Sequence, residues 1–173
     1  MNQKVYDLIN TQINKELYSA YLYMQIADFY ADEGLDGYAN YYMIQAAEER
    51  DHALIFRKYI LENGQKPELL AIDQPDKSYE SGDYMTPLKD ALTHEEYVTS
   101  LINAIYAAAE EENDYRAKQF LKWFIDEQME EEDNANDMIA KMKVFGADKS
   151  GLFALNKEYA TRVYTTPSPL AAN

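Results

Sequence analysis

The chain is predicted to fold as an all-α, antiparallel four-helix bundle with one long crossover loop and a short fifth helix at the C-terminus. Three observations carry this. Four stretches of roughly 25 to 30 residues repeat their apolar positions at the 3.6-residue period of a helix. A single aperiodic segment divides them two and two. Each of the four apolar stripes is interrupted near its middle by one glutamate: Glu16, Glu49, Glu95 and Glu131.

The first helix is read over 5–32 and stops at the turn Gly34-Leu35-Asp36-Gly37. The second is read over 38–63, with Gly64 and Pro67 as stop signals. The third, 87–112, opens with Thr86 as N-cap and Pro87 in the first helical position. After Asn113 and Asp114 the fourth runs over 115–145, closed by Gly146. At 1.5 Å per residue each helix is roughly 40 Å long, which suits a bundle of two hairpins. The segment 64–85 carries Pro67, Pro75 and Gly82 and has no period. Extended, it spans up to ~70 Å, enough to cross the bundle and set the second and third helices parallel. A short amphipathic fifth helix is read over 150–162, and Thr165-Thr166-Pro167-Ser168-Pro169 marks 163–173 as a loose tail. All 173 residues are read as one domain.

The stripes are Ile9, Ile13, Glu16, Ala20, Tyr23, Ala27; Tyr42, Ala46, Glu49, His52, Phe56, Ile60; Leu88, Leu92, Glu95, Val98, Ile102; and Phe124, Gln128, Glu131, Ala135, Met138, Met142. Helical spacing therefore turns all four carboxyl groups to the core. An unpaired ion in a dry interior costs several kcal/mol or more, so four converging carboxylates must be protonated or bound to a cation. The hairpins echo one another, with 33 residues from Glu16 to Glu49 and 36 from Glu95 to Glu131. Glu49 and His52, three residues apart, offer a carboxylate oxygen and an imidazole nitrogen on one face, and oxygen-rich ligation of this kind suits Fe(II) or Mn(II).

Composition narrows the chemistry. With no Cys, thiolate catalysis, thiolate zinc sites and iron–sulfur clusters are excluded, and no disulfide can form. A net charge of −15 disfavours nucleic acid and anionic lipid and attracts cations. The N-terminus has no apolar signal core and no apolar run approaches the ~18 residues of a membrane span, so a cytoplasmic protein is expected.

Four segments together, Glu-Leu-Tyr-Ser-Ala-Tyr-Leu-Tyr (16–23), Ala-Glu-Glu-Arg-Asp-His (47–52), Thr-His-Glu-Glu (93–96) and Asp-Glu-Gln-Met-Glu-Glu-Glu (126–132), resemble the non-haem ferritins, particularly the bacterial type. The resemblance implies a first iron site of Glu16, Glu49 and His52, with Glu49 bridging to a second completed by Glu95 and Glu131. Gln128 would hydrogen-bond nearby, Tyr23 would stand beside the centre, and Glu48, Glu127 and Glu130 would form a third, inward-leading site. It further implies a ferroxidase that oxidises paired Fe(II) with dioxygen, Tyr23 lending a further electron, and stores Fe(III) as mineral in a shell of 24 chains.

Departures from relatives sharpen this expectation. Arg50 stands where bacterioferritins carry a haem-ligating methionine, so no haem is expected, and Asn134 replaces a second Glu-x-x-His histidine. Lys118 and Leu121 match positions that animal ferritins fill with channel acids. His94 is read as a polar histidine facing solvent or a neighbouring subunit, Glu132 and Asp133 as a solvated face, and Glu110-Glu111-Glu112 as a frayed helix end. The competing readings are a discrete di-iron oxidase or peroxidase without storage, and a helical scaffold whose metal site is silent.

Overall fold

The computed structural model describes residues 1–171. It contains α1 (Gln3–Asp32), α2 (Asp36–Glu62), α3 (Thr86–Glu111), α4 (Tyr115–Phe145), α5 (Lys149–Tyr159) and α6 (Ser168–Ala171), with no strand among the described residues. Asn2 starts α1 two residues before the predicted boundary because its side chain accepts from the Lys4 amide at 2.7 Å. Asp114 caps α4 in the same way, accepting from the Ala117 amide at 3.0 Å. At α3 the expected cap is displaced. Thr86 lies inside the helix, and Asp83 accepts from its amide at 3.1 Å and from its hydroxyl at 2.6 Å.

Both hairpins close on left-handed residues. Gly34 (φ 74°) ends α1, with the Leu35 amide reaching back to Tyr30 O at 2.8 Å; Asn113 (φ 53°) ends α3, with Asp114 N bonded to Ala109 O at 2.8 Å. The crossover is stapled to α1 along its length. Tyr6 donates to Lys66 O (2.7 Å), Asn10 to Glu68 O (3.1 Å), Asn14 to Ala71 O (2.7 Å), Gln25 to Lys77 O (2.8 Å) and Tyr30 to Tyr84 O (2.8 Å). The loop thus runs from the start of α1 to its end, and α3 sets out parallel to α2.

The core has two apolar halves. One gathers Ile26, Tyr30, Tyr38, Tyr42, Leu88 and Met138; the other gathers Ile9, Ile13, Phe56, Ile60, Ile102 and Phe124. Each fully buried aliphatic or aromatic side chain contributes about 1.5–3 kcal/mol. Between the halves lies a polar layer drawn from all four long helices, including Glu16, Glu49, His52, Glu95, Gln128 and Glu131. The four predicted stripes are buried at every position but Leu92, which is half-buried.

α5 seats across the start of α2. Gly37 is needed there, since a Cβ at that position would stand 1.7 Å from Asn156 O. Asn156 Oδ1 accepts from the Gly37 amide at 2.7 Å and the Tyr38 amide at 3.3 Å, capping a helix whose own N-cap, Leu35, has no side-chain acceptor. α5 ends at Tyr159 rather than 162, and the following chain is not loose. It turns back along α2, where Asn40 donates to Tyr159 O and Arg162 O (3.2 and 3.1 Å), Tyr164 donates to Asp51, and Leu170 of α6 packs on the second core half. Residues 172 and 173 of the predicted tail lie outside the described residues. Among the described residues no helix is long and apolar enough to cross a membrane.

Candidate metal centre

The polar layer places Glu16 on α1, Glu49 and His52 on α2, Glu95 on α3 and Glu131 on α4, at 1, 1, 1, 2 and 6 % exposure. Glu16, Glu49 and His52 come together, each offering a ligand atom within 4.8 Å of the others. His52 Nδ1 lies 3.7 Å from Glu49 Oε1. Among the described residues Glu16 Oε2, Glu49 Oε1 and His52 Nε2 are buried without a hydrogen-bond partner, so each side chain keeps one polar atom unsatisfied.

The donors that the carboxyl groups do receive are neutral. Gln12 donates to Glu16 Oε1 at 2.9 Å, Gln45 to Glu131 Oε2 at 2.7 Å and Gln128 to Glu95 Oε2 at 3.0 Å, while the Tyr23 hydroxyl donates to Glu95 Oε1. Amides and a phenol offset only part of the cost of burying carboxylate charge. Burial accordingly pushes Glu16 well up, helped by the Glu49 charge; burial and the Glu95 and Glu131 charges do the same to Glu49. Glu95 is raised by burial, and Glu131 is pushed up to about 8 by burial and the Glu95 charge. Burial and mutual repulsion disfavour the charged form of all four, and Glu131, near 8, is mostly protonated at neutral pH; a cation held by Glu16, Glu49 and His52 would offset the negative charge and take up Glu16 Oε2 and Glu49 Oε1. The donor set fits a hard or borderline divalent ion held by carboxylate oxygen and imidazole nitrogen.

Glu95 and Glu131 stand beside the trio and line, with Tyr23, Tyr42 and Gln45, a small internal cavity of about 10 Å³. Tyr23 is 1 % exposed, and its hydroxyl is pushed well up by burial and by Glu95. Of the predicted third set, Glu127 is half-buried with Oε1 3.8 Å from His52 Nε2, Glu48 is half-buried and paired with Arg162 at 2.6 Å, and Glu130 is exposed.

Several residues were misread or missed. His94 is half-buried, shares a 2.7 Å hydrogen bond with Ser19 and packs its ring at 6.0 Å from Tyr23; burial holds it down at about 4. Glu132 accepts from Thr99 at 2.5 Å. Glu110 pairs with Lys118 at 2.9 Å, Glu111 with Lys4, and Glu112 accepts from Asn2 at 2.8 Å, so that helix end is tied rather than frayed. Leu121, at the matched channel position, is 0 % exposed and packed in the second core half. Gln12 and Gln45 escaped notice, although each sits four residues before a stripe glutamate, a spacing that places an amide one turn away on the same face.

Comparison with known proteins identifies the family and the fold. The family model of the Ferritin-like domain matches residues 6–145. The chain is 34% identical over 158 residues to a probable bacterial non-heme ferritin-like protein of Haemophilus influenzae, covering 91% of this chain and 94% of the relative. It is 34% identical over 164 residues to a bacterial non-heme ferritin of Staphylococcus saprophyticus, covering 95% and 97%. Among solved structures, an engineered closed form of the Archaeoglobus fulgidus ferritin superposes with a TM-score of 0.91 at 33% identity over 95% of this chain and 99% of that one. The open-pore ferritin of the same archaeon gives 0.90 at 34%, over 94% and 98%. With a polar layer of four glutamates and a histidine at mid-depth in a crossover-linked four-helix bundle, the chain belongs to the ferritin-like family.

Proposed function

We propose that the protein is an iron-storage ferritin with ferroxidase activity, its substrates ferrous iron and dioxygen. The observation that carries the reading is the convergence of Glu16, Glu49 and His52, buried side chains from two helices that each offer a ligand atom within 4.8 Å of the others, His52 with its Nδ1 3.7 Å from Glu49 Oε1. In this reading Glu16, Glu49 and His52 take one iron, and Glu49 bridges to a second completed by Glu95 and Glu131. Two ions in one site deliver two electrons to dioxygen together. Gln128 and Gln45 orient the second pair of carboxylates from outside. Tyr23 would give a third electron and a further Fe(II) the fourth, which with four protons carries dioxygen to water; the Tyr23 hydroxyl donates to Glu95, which would take the proton it loses. Glu127 and Glu130, joined by Glu48 once Arg162 releases it, form a third site through which Fe(III) leaves for a mineral store.

Storage requires a container, and the proposal includes assembly into a 24-chain shell in the cytoplasm. Tyr21, Met24, Met43 and Leu54 are 51, 42, 47 and 42 % exposed. Tyr21, Met24 and Met43 line, with Leu17 and Ala46, an open depression of about 550 Å³ on the α1–α2 face. An apolar patch of this kind is expected to be covered by another chain.

Stopped-flow absorbance on mixing metal-free protein with Fe(II) in air is expected to show a fast oxidation phase, and Glu49→Ala to slow it by at least roughly tenfold. If Glu49→Ala oxidises iron as fast as the parent, the centre is misassigned. A dimer on a sizing column would replace storage with the discrete-oxidase reading.

A further inference from the structure

Arg162 lies in the segment that doubles back along α2, and it is held from several sides. Its Nη2 donates to Glu48 Oε2 at 2.6 Å, its Nη1 donates to Tyr41 O at 3.3 Å, and its guanidinium carbon stands 4.2 Å from the Tyr41 ring centre. Its own carbonyl accepts from Asn40 at 3.1 Å. A planar cation bonded, stacked and anchored in this way differs from an ordinary surface pair, which two long side chains hold only loosely.

The carboxylate it holds is at the edge of the candidate centre. Glu48 precedes Glu49 in sequence, and its charge interacts with His52 and with Glu127. His52 Nε2, buried and without a hydrogen-bond partner among the described residues, is 3.8 Å from Glu127 Oε1, so an imidazole nitrogen is aimed out of the centre toward Glu127. Glu127 on α4 thus faces His52 on α2, while the neighbouring Glu48 is already neutralised by Arg162.

We propose that Arg162 is a tethered counter-ion that closes the α2–α4 mouth of the metal centre, competing with metal cations for Glu48. The proposal rests on the reading of Glu16, Glu49 and His52 as metal ligands, and adds a residue from outside that set which controls the way in or out. With Arg162 in place Glu48 does not complete a site with Glu127 and His52; with Arg162 withdrawn, the two carboxylates and the imidazole nitrogen hold one more divalent ion. A charge-assisted hydrogen bond of this type shifts the competing affinity by about tenfold or more.

The test uses Zn(II) alone, titrated calorimetrically into the metal-free assembled protein, with bound ions located by anomalous scattering at the zinc edge. R162Q is expected to bind one more Zn(II) per chain than the parent, at least tenfold more tightly than any corresponding ion in the parent, and the E48Q/R162Q double variant is expected to lose it. Arg162→Lys keeps the charge and is expected to stay at the parent's number. Particle size and helical circular dichroism matching the parent's establish that each variant is folded. Equal zinc numbers and affinities in parent and R162Q would overturn the proposal. So would an extra ion that survives loss of Glu48, or one that appears in R162K, which would make packing and not charge the closure. The result is an increment over the parent, so it is separable from failure of the centre itself, which Glu49→Ala reports.

Discussion

Gln45 on α2 donates its side-chain amide to Glu131 on α4 at 2.7 Å, bracing one candidate ligand from the helix that carries two others. Its carbonyl oxygen is buried without a partner among the described residues, so the residue is there for its donor. Gln45→Leu keeps the volume and removes the bond. In the metal-free protein at neutral pH, where Glu131 with its value near 8 is mostly protonated, the bond is between neutral groups and the expected loss is about 1 kcal/mol. Chemical denaturation of the chelator-treated variant against the parent reads this directly, and an unchanged midpoint would show that the brace carries no energy.

Metal removal and pH act on the same carboxyl groups. Glu16, Glu49, Glu95 and Glu131 all have folded values raised above the ordinary 4.5, Glu131 to about 8. The folded chain therefore holds protons that the unfolded chain releases. Their contribution is full below about pH 4.5 and is lost as pH rises through the folded values, at up to about 1.4 kcal/mol per pH unit for each group. His94 runs the other way: lowered to about 4 from 6.5, it supports the fold above 6.5 and loses that support as pH falls toward 4. Glu48 and Glu127 are raised by burial too, so with six carboxyl groups against one histidine the metal-free protein is expected to lose thermal stability from pH 5 to 8. Saturation with Mn(II) or Zn(II) should flatten or reverse the trend, because the ions displace the protons. Parallel melting curves with and without metal across that range would contradict a metal centre here.

Tyr23 and Gln128 approach Glu95 from opposite helices, one at each carboxyl oxygen. Tyr23→Phe and Gln128→Leu each leave Glu95 with a single donor. Losing an outer partner of a ligand commonly costs 10- to 100-fold in affinity or activity, and roughly tenfold slower Fe(II) oxidation is expected for each variant. Stopped-flow traces at two irons per chain make the measurement, and wild-type rates in both variants would remove Glu95 from the centre.

Gly37 permits the seat of α5. In Gly37→Ala the added carbon would lie 1.7 Å from Asn156 O, a backbone atom that cannot yield without moving the helix. Displacement of α5 uncaps α2 and strips Leu155 and Tyr159 from the Tyr38 end of the core. A loss of roughly 2 kcal/mol or more is expected, together with faster amide exchange in 149–159. Protection of those amides equal to the parent's would show that the contact is not structural.

Asn10 makes two hydrogen bonds to residue 68, donating to its carbonyl at 3.1 Å and accepting from its amide at 2.8 Å. Asn10→Ala is expected to cost about 1–2 kcal/mol and to speed proteolysis within 64–74 while leaving Fe(II) oxidation unchanged. Limited digestion of parent and variant side by side tests this, and identical cleavage rates would place the stapling elsewhere.

Much of the bundle was legible because helical periodicity is local. The stripes containing Glu16, Glu49, Glu95 and Glu131 could be traced without knowing any partner, and the aperiodic 64–85 had to be a connection. Residues whose role lies in another element were not legible. Thr86 looked like a cap until Asp83 was found to serve it. His94 looked exposed until the fold brought Ser19 to it. Leu121 matched a channel position in sequence, yet its place on α4 turns it into the core.

From residue order alone follow four long helices, their inward faces and the four acids on those faces, since a 3.6-residue repeat decides which side chains share a side of one helix. Only the packed chain decides that Gln45 meets Glu131, that Tyr23 meets Glu95, and that the stretch read as the end of the fifth helix turns back to set Arg162 on Glu48. Those pairs depend on the rotation and axial register of one helix against another, fixed to within about an ångström by close packing at many distant contacts, and no short stretch of sequence carries that information.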